Sequence, residues 1–224
     1  MHNRVNLSVH RTEAGTTGLG GLSTNPPKQE SMCRRGLVRF GKMLHRQGFV
    51  SGTDGNLSVR LDADRLLVTP SGMSKAMMKS EHMVMVSPDG RKLSSALNPS
   101  SELPMHLAIY RLRPEVNAIV HAHPCFATGF ASAGIALDEP LCSEIVMSLG
   151  KVSLAPYANP GTQEMCEVLV LLIKEHDAVL MSNHGGRYLR RESAGGISKD
   201  GKRGALRADC HGGQAIRTTP VVGP

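Results

Sequence analysis

Apolar residues in the middle of this chain recur with two different periods, and each period predicts a different element. Residues 1–31 show no sustained apolar period and are rich in Gly, Thr, Asn and Pro, which predicts a flexible extension. From Met32 the spacing of Leu37, Phe40, Met43 and Leu44 predicts a helix, with Gly48 placed to end it. After Asn56 the pattern changes to short runs of β type, NLSVRL, RLLVTP and HMVMVSP, the last followed by the turn Pro88-Asp89-Gly90.

Ser100-Ser101-Glu102-Leu103-Pro104 has the composition of a capped helix start, and Met105, Leu107, Ala108, Ile109 and Leu112 carry that helix to Pro114. NAIVHAH reads as a buried strand, ATGFASAG as a short helix, and EIVMSLG and KVSLAPY as further β-type runs. A last helix is expected from Gly161-Thr162-Gln163-Glu164 to about Lys174, then a strand in DAVLMSNHG. The expected fold class is mixed α/β (α+β): helices packed on a central, mostly antiparallel sheet. Residues 32–184 make the folded domain. Beyond His184 neither period survives, so residues 185–224 read as an aberrant, disordered tail.

A net charge of +7 would suggest nucleic acid if it lay on the folded body, but residues 1–35 and 185–224 together carry +8 and leave −1 between them. With aromatic residues at 3% and no Trp, stacking on bases is not expected either. No apolar run approaches the roughly 18 residues of a membrane span, and none resembles a signal peptide. The five cysteines lack any C-x-x-C spacing. A cytoplasmic protein without nucleic-acid or membrane partners is the expectation.

His121 and His123, two apart on an expected strand, leave the same face and can share one metal ion. Zinc needs a third ligand, for which His184 in Ser182-Asn183-His184-Gly185 is the best candidate. Glu102, where a loop turns into a helix, suits a general base beside that metal, although a helix-start acid is also favoured by the macrodipole. Thr53-Asp54-Gly55-Asn56, Thr69-Pro70-Ser71-Gly72 and Ser100-Ser101 offer hydroxyls, amides and backbone N–H groups able to hold a phosphate. His45, His82, His106 and His176 read as surface or helix-face residues. Cys125 reads as a small buried thiol, and Met73, Met77, Met78, Met83 and Met85 as core packing.

The runs G-T-D-G-N-L-S-V-R, T-P-S-G, P-S-S-E, V-H-A-H-P, A-P-Y-A-N-P-G-T and S-N-H-G, in this order across residues 33–184, resemble the class II aldolase/adducin family. The resemblance implies a three-layer fold, zinc or another divalent ion on His121, His123 and His184, and Glu102 as the catalytic carboxylate. It places phosphate binding on Thr53, Asn56, Ser71, Gly72, Ser100 and Ser101. It also implies a homotetramer that cleaves a small ketose 1-phosphate into dihydroxyacetone phosphate and an aldehyde. Epimerase, dehydratase, decarboxylase, an inactive truncated family member that has lost activity through its C-terminus, and an adducin-like binding module are the alternatives within the family.

Two departures qualify that expectation. Fuculose-phosphate aldolases carry a tyrosine in the segment aligned with Cys142-Ser143-Glu144, and this chain has none there. After S-N-H-G the family continues with a strand and a long helix. Here a reading displaced by one nucleotide would permit G-V-V-T-Y-G-E, so a frame change after His184 is expected, with loss of that strand and helix and poor solubility.

Overall fold

The computed structural model describes residues 26–139, 143, 147 and 150–190. Its centre is an eight-stranded sheet, built from β1 (Asn56–Arg60), β2 (Leu66–Val68), β3 (Val84–Val86), β4 (Lys92–Ser94), β5 (Ala118–Ala122), β6 (Ser153–Ala155), β7 (Ala178–Met181) and β8 (Gly185–Arg190). The spatial order is β4-β3-β2-β1-β5-β8-β7-β6. Every pairing is antiparallel except β6 with β7. Among the described residues, four helices with defined bounds flank it: α1 (Pro26–Arg46), α2 (Leu103–Leu112), α3 (Cys125–Ser132) and α4 (Gln163–Ile173).

Alternation along the strands sorts the side chains into layers. Leu66, Val68, Val84, Val86 and Ile119 join Met105 and Ile109 of α2 and Met165 and Leu169 of α4 in one core. Leu57, Val59, Leu67 and Met85 point the other way, to Leu37, Phe40 and Leu44 of α1. A smaller core sets Ala127 and Ala131 of α3 against Ala178 and Leu180 of β7. Helices therefore cover both faces, which is the three-layer arrangement expected of the chain.

Several expectations are corrected. Helix α1 begins at Pro26, so residues 26–31 are helical and not part of a loose extension; two prolines suit a helix start because the first N–H groups have no intrahelical partner. Residues 185–190, expected as the start of the tail and with the family's strand lost, instead form β8 (Gly185–Arg190), paired to β5 on one side and β7 on the other. Strand formation there needs no apolar alternation, because the facing edges of β5 and β7 would otherwise hold unpaired N–H and C=O groups. Residues 191–224, and most of the expected β-type run 144–150, lie outside the described residues; Met147, described within that run, is helical and not in a strand. Strand β4, fully exposed, carries no apolar signal and was not expected. Met77 and Cys125 are exposed, whereas Met78, Met83 and Met85 are core as expected. Among the described residues no helix is long and apolar enough to cross a membrane.

Candidate metal centre

Strand β5 delivers His121, the segment just after it delivers His123, and the turn after β7 delivers His184. Asn183, with φ 56°, takes the left-handed conformation that asparagine tolerates, and this turns the chain back into β8 just after His184. His123 is held by its backbone N–H donating to Phe49 O at 2.7 Å. The three imidazole centroids lie 4.7, 4.9 and 5.2 Å apart. One nitrogen from each ring falls within 4.8 Å of the others.

Two glycines allow this crowding. A Cβ on Gly185 would overlap His123 Cδ2, and one on Gly55 would come 2.6 Å from His121 O. Gly55 also has φ 69°, a conformation that side chains resist.

The donor set suits a divalent cation. Nδ1 of His121 lies 3.2 Å from Gly186 O, so Nδ1–H donates and the Nε2 lone pair is left facing the cluster. His121 Nε2 and His123 Nε2 are 2.9 Å apart. His184 Nε2 is shut off from solvent and, among the described residues, has no hydrogen-bond partner, its nearest charged group being the Glu102 carboxylate. A cation between the rings would satisfy all three nitrogens at once.

Glu102 lies beside this cluster at the N-cap position of α2, where the helix dipole favours negative charge. Its Oε2 is 3.3 Å from His121 Nε2 and its Oε1 is 3.3 Å from His184 Nε2. Asn56, paired with His121 across the β1–β5 ladder, donates Nδ2–H to Glu102 Oε2 at 3.2 Å. His106 is buried rather than on a surface, and its two ring nitrogens contact Asn56 Oδ1 and Ser58 Oγ. The signal for this was present in the sequence: Glu102, His106 and Tyr110 recur every four residues, a helix face, and Asn56, Ser58 and Arg60 every two, a strand face.

The expected phosphate-binding turns are tied together. Ser71 N–H donates to Asn98 O at 2.9 Å and Ser100 N–H to Thr69 O at 3.1 Å, which sets the Ser71-Gly72 turn beside Ser100-Ser101. Lys75, absent from the sequence-based site, joins the third turn: its Nζ donates to Thr53 O at 2.9 Å and to Met73 O at 3.1 Å. Thr53, Ser71, Gly72 and Ser101 are not buried, Ser100 is half-buried and Asn56 is buried. Burial pushes the Lys75 amine down to about 8, partly opposed by the charges of Asp54 and Glu102.

Residues 35–187 match the model of the Class II Aldolase and Adducin N-terminal domain. The chain is 36% identical over 169 residues to the 3-oxo-tetronate 4-phosphate decarboxylase of Pectobacterium atrosepticum, covering 72% of this chain and 77% of that protein. It is 35% identical to the 5-deoxy-D-ribulose 1-phosphate aldolase of Bacillus thuringiensis, covering 68% of this chain and 71% of the relative. Among solved structures, YgbL of Escherichia coli, described as a putative aldolase/epimerase/decarboxylase, superposes with a TM-score of 0.75 at 27% identity, over 88% of this chain and 92% of that one. The L-fuculose-1-phosphate aldolase of Thermus thermophilus does so with a TM-score of 0.65 at 28% identity, over 75% and 82%. The chain belongs to the class II aldolase and adducin family.

Proposed function

We propose that this protein is a zinc-dependent lyase that cleaves a small ketose 1-phosphate into dihydroxyacetone phosphate and an aldehyde. The observation that carries the reading is the convergence of three imidazole nitrogens within 4.8 Å of one another, with the Glu102 carboxylate 3.3 Å from two of them. His121, His123 and His184 hold the ion, which supplies a Lewis acid for negative charge developing on substrate oxygens. Glu102 accepts a proton from the substrate in one direction and returns it in the other. Thr53, Asn56, Ser71, Gly72, Ser100 and Ser101 bind the phosphate, and their neutral donors supply remote binding energy that aligns the reacting bond. Homotetrameric assembly belongs to the same reading.

A second reading, decarboxylation of a 3-oxo acid 4-phosphate on the same residues, is favoured by the 36% identity to relatives named as such decarboxylases. It is consistent with the missing tyrosine near Cys142. Both reactions place negative charge on an oxygen next to a carbon that loses a bond, so the metal and phosphate anchor serve either.

The zinc-loaded full chain, incubated separately with ketose 1-phosphates and with 3-oxo-tetronate 4-phosphate, separates the two by aldehyde or carbon dioxide release. Aldehyde release that is lost in Glu102→Gln supports the aldolase. Carbon dioxide release alone replaces it with the decarboxylase. Neither product from a zinc-loaded protein rejects both.

A further inference from the structure

Behind Glu102 a row of buried polar side chains runs away from the metal centre between β1 and α2. Asn56 Nδ2 is 3.2 Å from Glu102 Oε2, and Asn56 Oδ1 meets His106 Nε2. On the far side of the imidazole, His106 Nδ1 is 2.6 Å from Ser58 Oγ, which is 2.9 Å from Tyr110 OH. Arg60 closes the row: its guanidinium lies 4.7 Å from the Tyr110 ring centroid and donates to Tyr110 O at 2.9 Å. Ser58, His106 and Tyr110 are at most 4% exposed.

We propose that Asn56, His106, Ser58 and Tyr110 form a one-way hydrogen-bond chain that positions the Glu102 carboxylate, with His106 as its central positioning residue. The direction follows from which atoms can donate. A carboxylate only accepts, so Asn56 must turn its Nδ2–H toward Glu102 and its Oδ1 toward His106. Oδ1 only accepts, so the proton of the neutral His106 ring sits on Nε2 and Nδ1 is left as an acceptor. Ser58 then gives its O–H to Nδ1 and takes the Tyr110 O–H on its oxygen. Burial raises the Tyr110 phenol above its ordinary value, which keeps that last proton in place.

Reversing the Asn56 amide would set an acceptor against an acceptor at one end and a donor against a donor at the other, and in a buried site each such mismatch is costly. The chain therefore fixes the amide, and the amide fixes one carboxylate oxygen. The other oxygen stays directed at His184. This inference rests on Glu102 acting as proposed above, but the position of the carboxylate can be tested without turnover.

The test compares the zinc-loaded full chain with His106→Phe, which keeps a ring and removes both nitrogens, and with His106→Gln, which restores a donor. With whichever substrate the wild type accepts, His106→Phe should lower kcat about 10- to 100-fold, the range for a displaced catalytic group, with KM and zinc content near wild type. His106→Gln should recover part of that loss. Loss of zinc, or a raised KM with kcat intact, overturns the proposal, because a general packing defect would act that way. Imidazole nitrogen shifts in labelled wild-type protein should place the His106 proton on Nε2; a proton on Nδ1 overturns the chain whether or not any substrate turns over. If His106→Phe does not fold, Ser58→Ala takes its place: it removes the donor to Nδ1 while Asn56 Oδ1 keeps the His106 proton on Nε2, and it should lower kcat several-fold with KM and zinc content near wild type; an unchanged kcat overturns the proposal. A wild type without turnover on either substrate defeats the function proposed above, and the nitrogen shifts then decide the chain alone.

Discussion

Nδ1 of His121 donates to the carbonyl oxygen of Gly186, 3.2 Å away on the neighbouring strand. Gly186 stands opposite Ala122 in the β5–β8 register, so the tautomer of a proposed metal ligand is set by a backbone group of the strand that follows the third ligand. Strand β8 thus serves the site twice, through this carbonyl and through the bare Cα of Gly185 beside His123.

That second role gives a prediction. In Gly185→Ala the new methyl overlaps His123 Cδ2 and comes within 3.1 Å of Ala122 O, a backbone atom that cannot give way. His123 must turn, and zinc affinity should fall about 10- to 100-fold, the range seen when the groups that orient a ligand are disturbed. Competition with a chromophoric chelator measures this. Wild-type affinity in Gly185→Ala would remove His123 from the ligand set.

Zinc should also stabilise the fold, since an unfolded chain cannot bring β5 and the β7–β8 turn together. At free zinc of 100 times its dissociation constant the gain is about 2.7 kcal/mol. Calorimetry with zinc and after chelation reads it as a shift in Tm. His184→Ala should show no such shift, and a variant that keeps it would point to binding elsewhere.

Much of this site was legible in the sequence because its residues come from regular elements with fixed spacing. His121 and His123 are two apart at the end of a strand, and Glu102 follows a helix-start signature. Residues 185–190 were misread because β8 owes its existence to two waiting edges, and its own residues carry no alternation. His106 was misread because a lone histidine on a helix usually faces solvent; only the joint spacing with Tyr110 and with Asn56 and Ser58 shows that two polar faces meet. Lys75 was invisible for a related reason, since its partners are the carbonyls of Thr53 and Met73 and not side chains with a recognisable pattern.

Arg113 ties the end of α2 to the connection between α4 and β7. It is buried, pairs with Glu115 at 2.7 Å and Asp177 at 2.8 Å, and donates to Ile173 O and His176 O. Removing one partner of a buried pair costs about 3–5 kcal/mol, but Glu115 and Asp177 keep contact with water, so Arg113→Leu should cost nearer ~2 kcal/mol. Urea unfolding measures it, and a change below about 0.5 kcal/mol, within the scatter of surface substitutions, would show that the cluster contributes little.

Lys75 predicts a pH dependence of stability. The side chain is 1% exposed, and burial lowers its pKa to about 8 from the ordinary 10.5. Between these values the unfolded chain holds a proton that the folded protein has released, so the contribution of Lys75 to stability rises with pH across that window. Below about 8 the amine is charged in both states and the cost of burying that charge is present in full. Lys75→Met has no such proton. The stability of the wild type relative to Lys75→Met should therefore increase between pH 8 and 10.5, on the order of 3 kcal/mol when titration is complete. Cys33, whose thiol burial pushes up, is common to both proteins and cancels from the difference. Denaturant midpoints of the two proteins, measured in parallel across the range, provide the comparison. A gap that stays constant would mean that the Lys75 amine is solvated as freely as in the unfolded chain, and that its bonds to Thr53 O and Met73 O do not hold the two turns together.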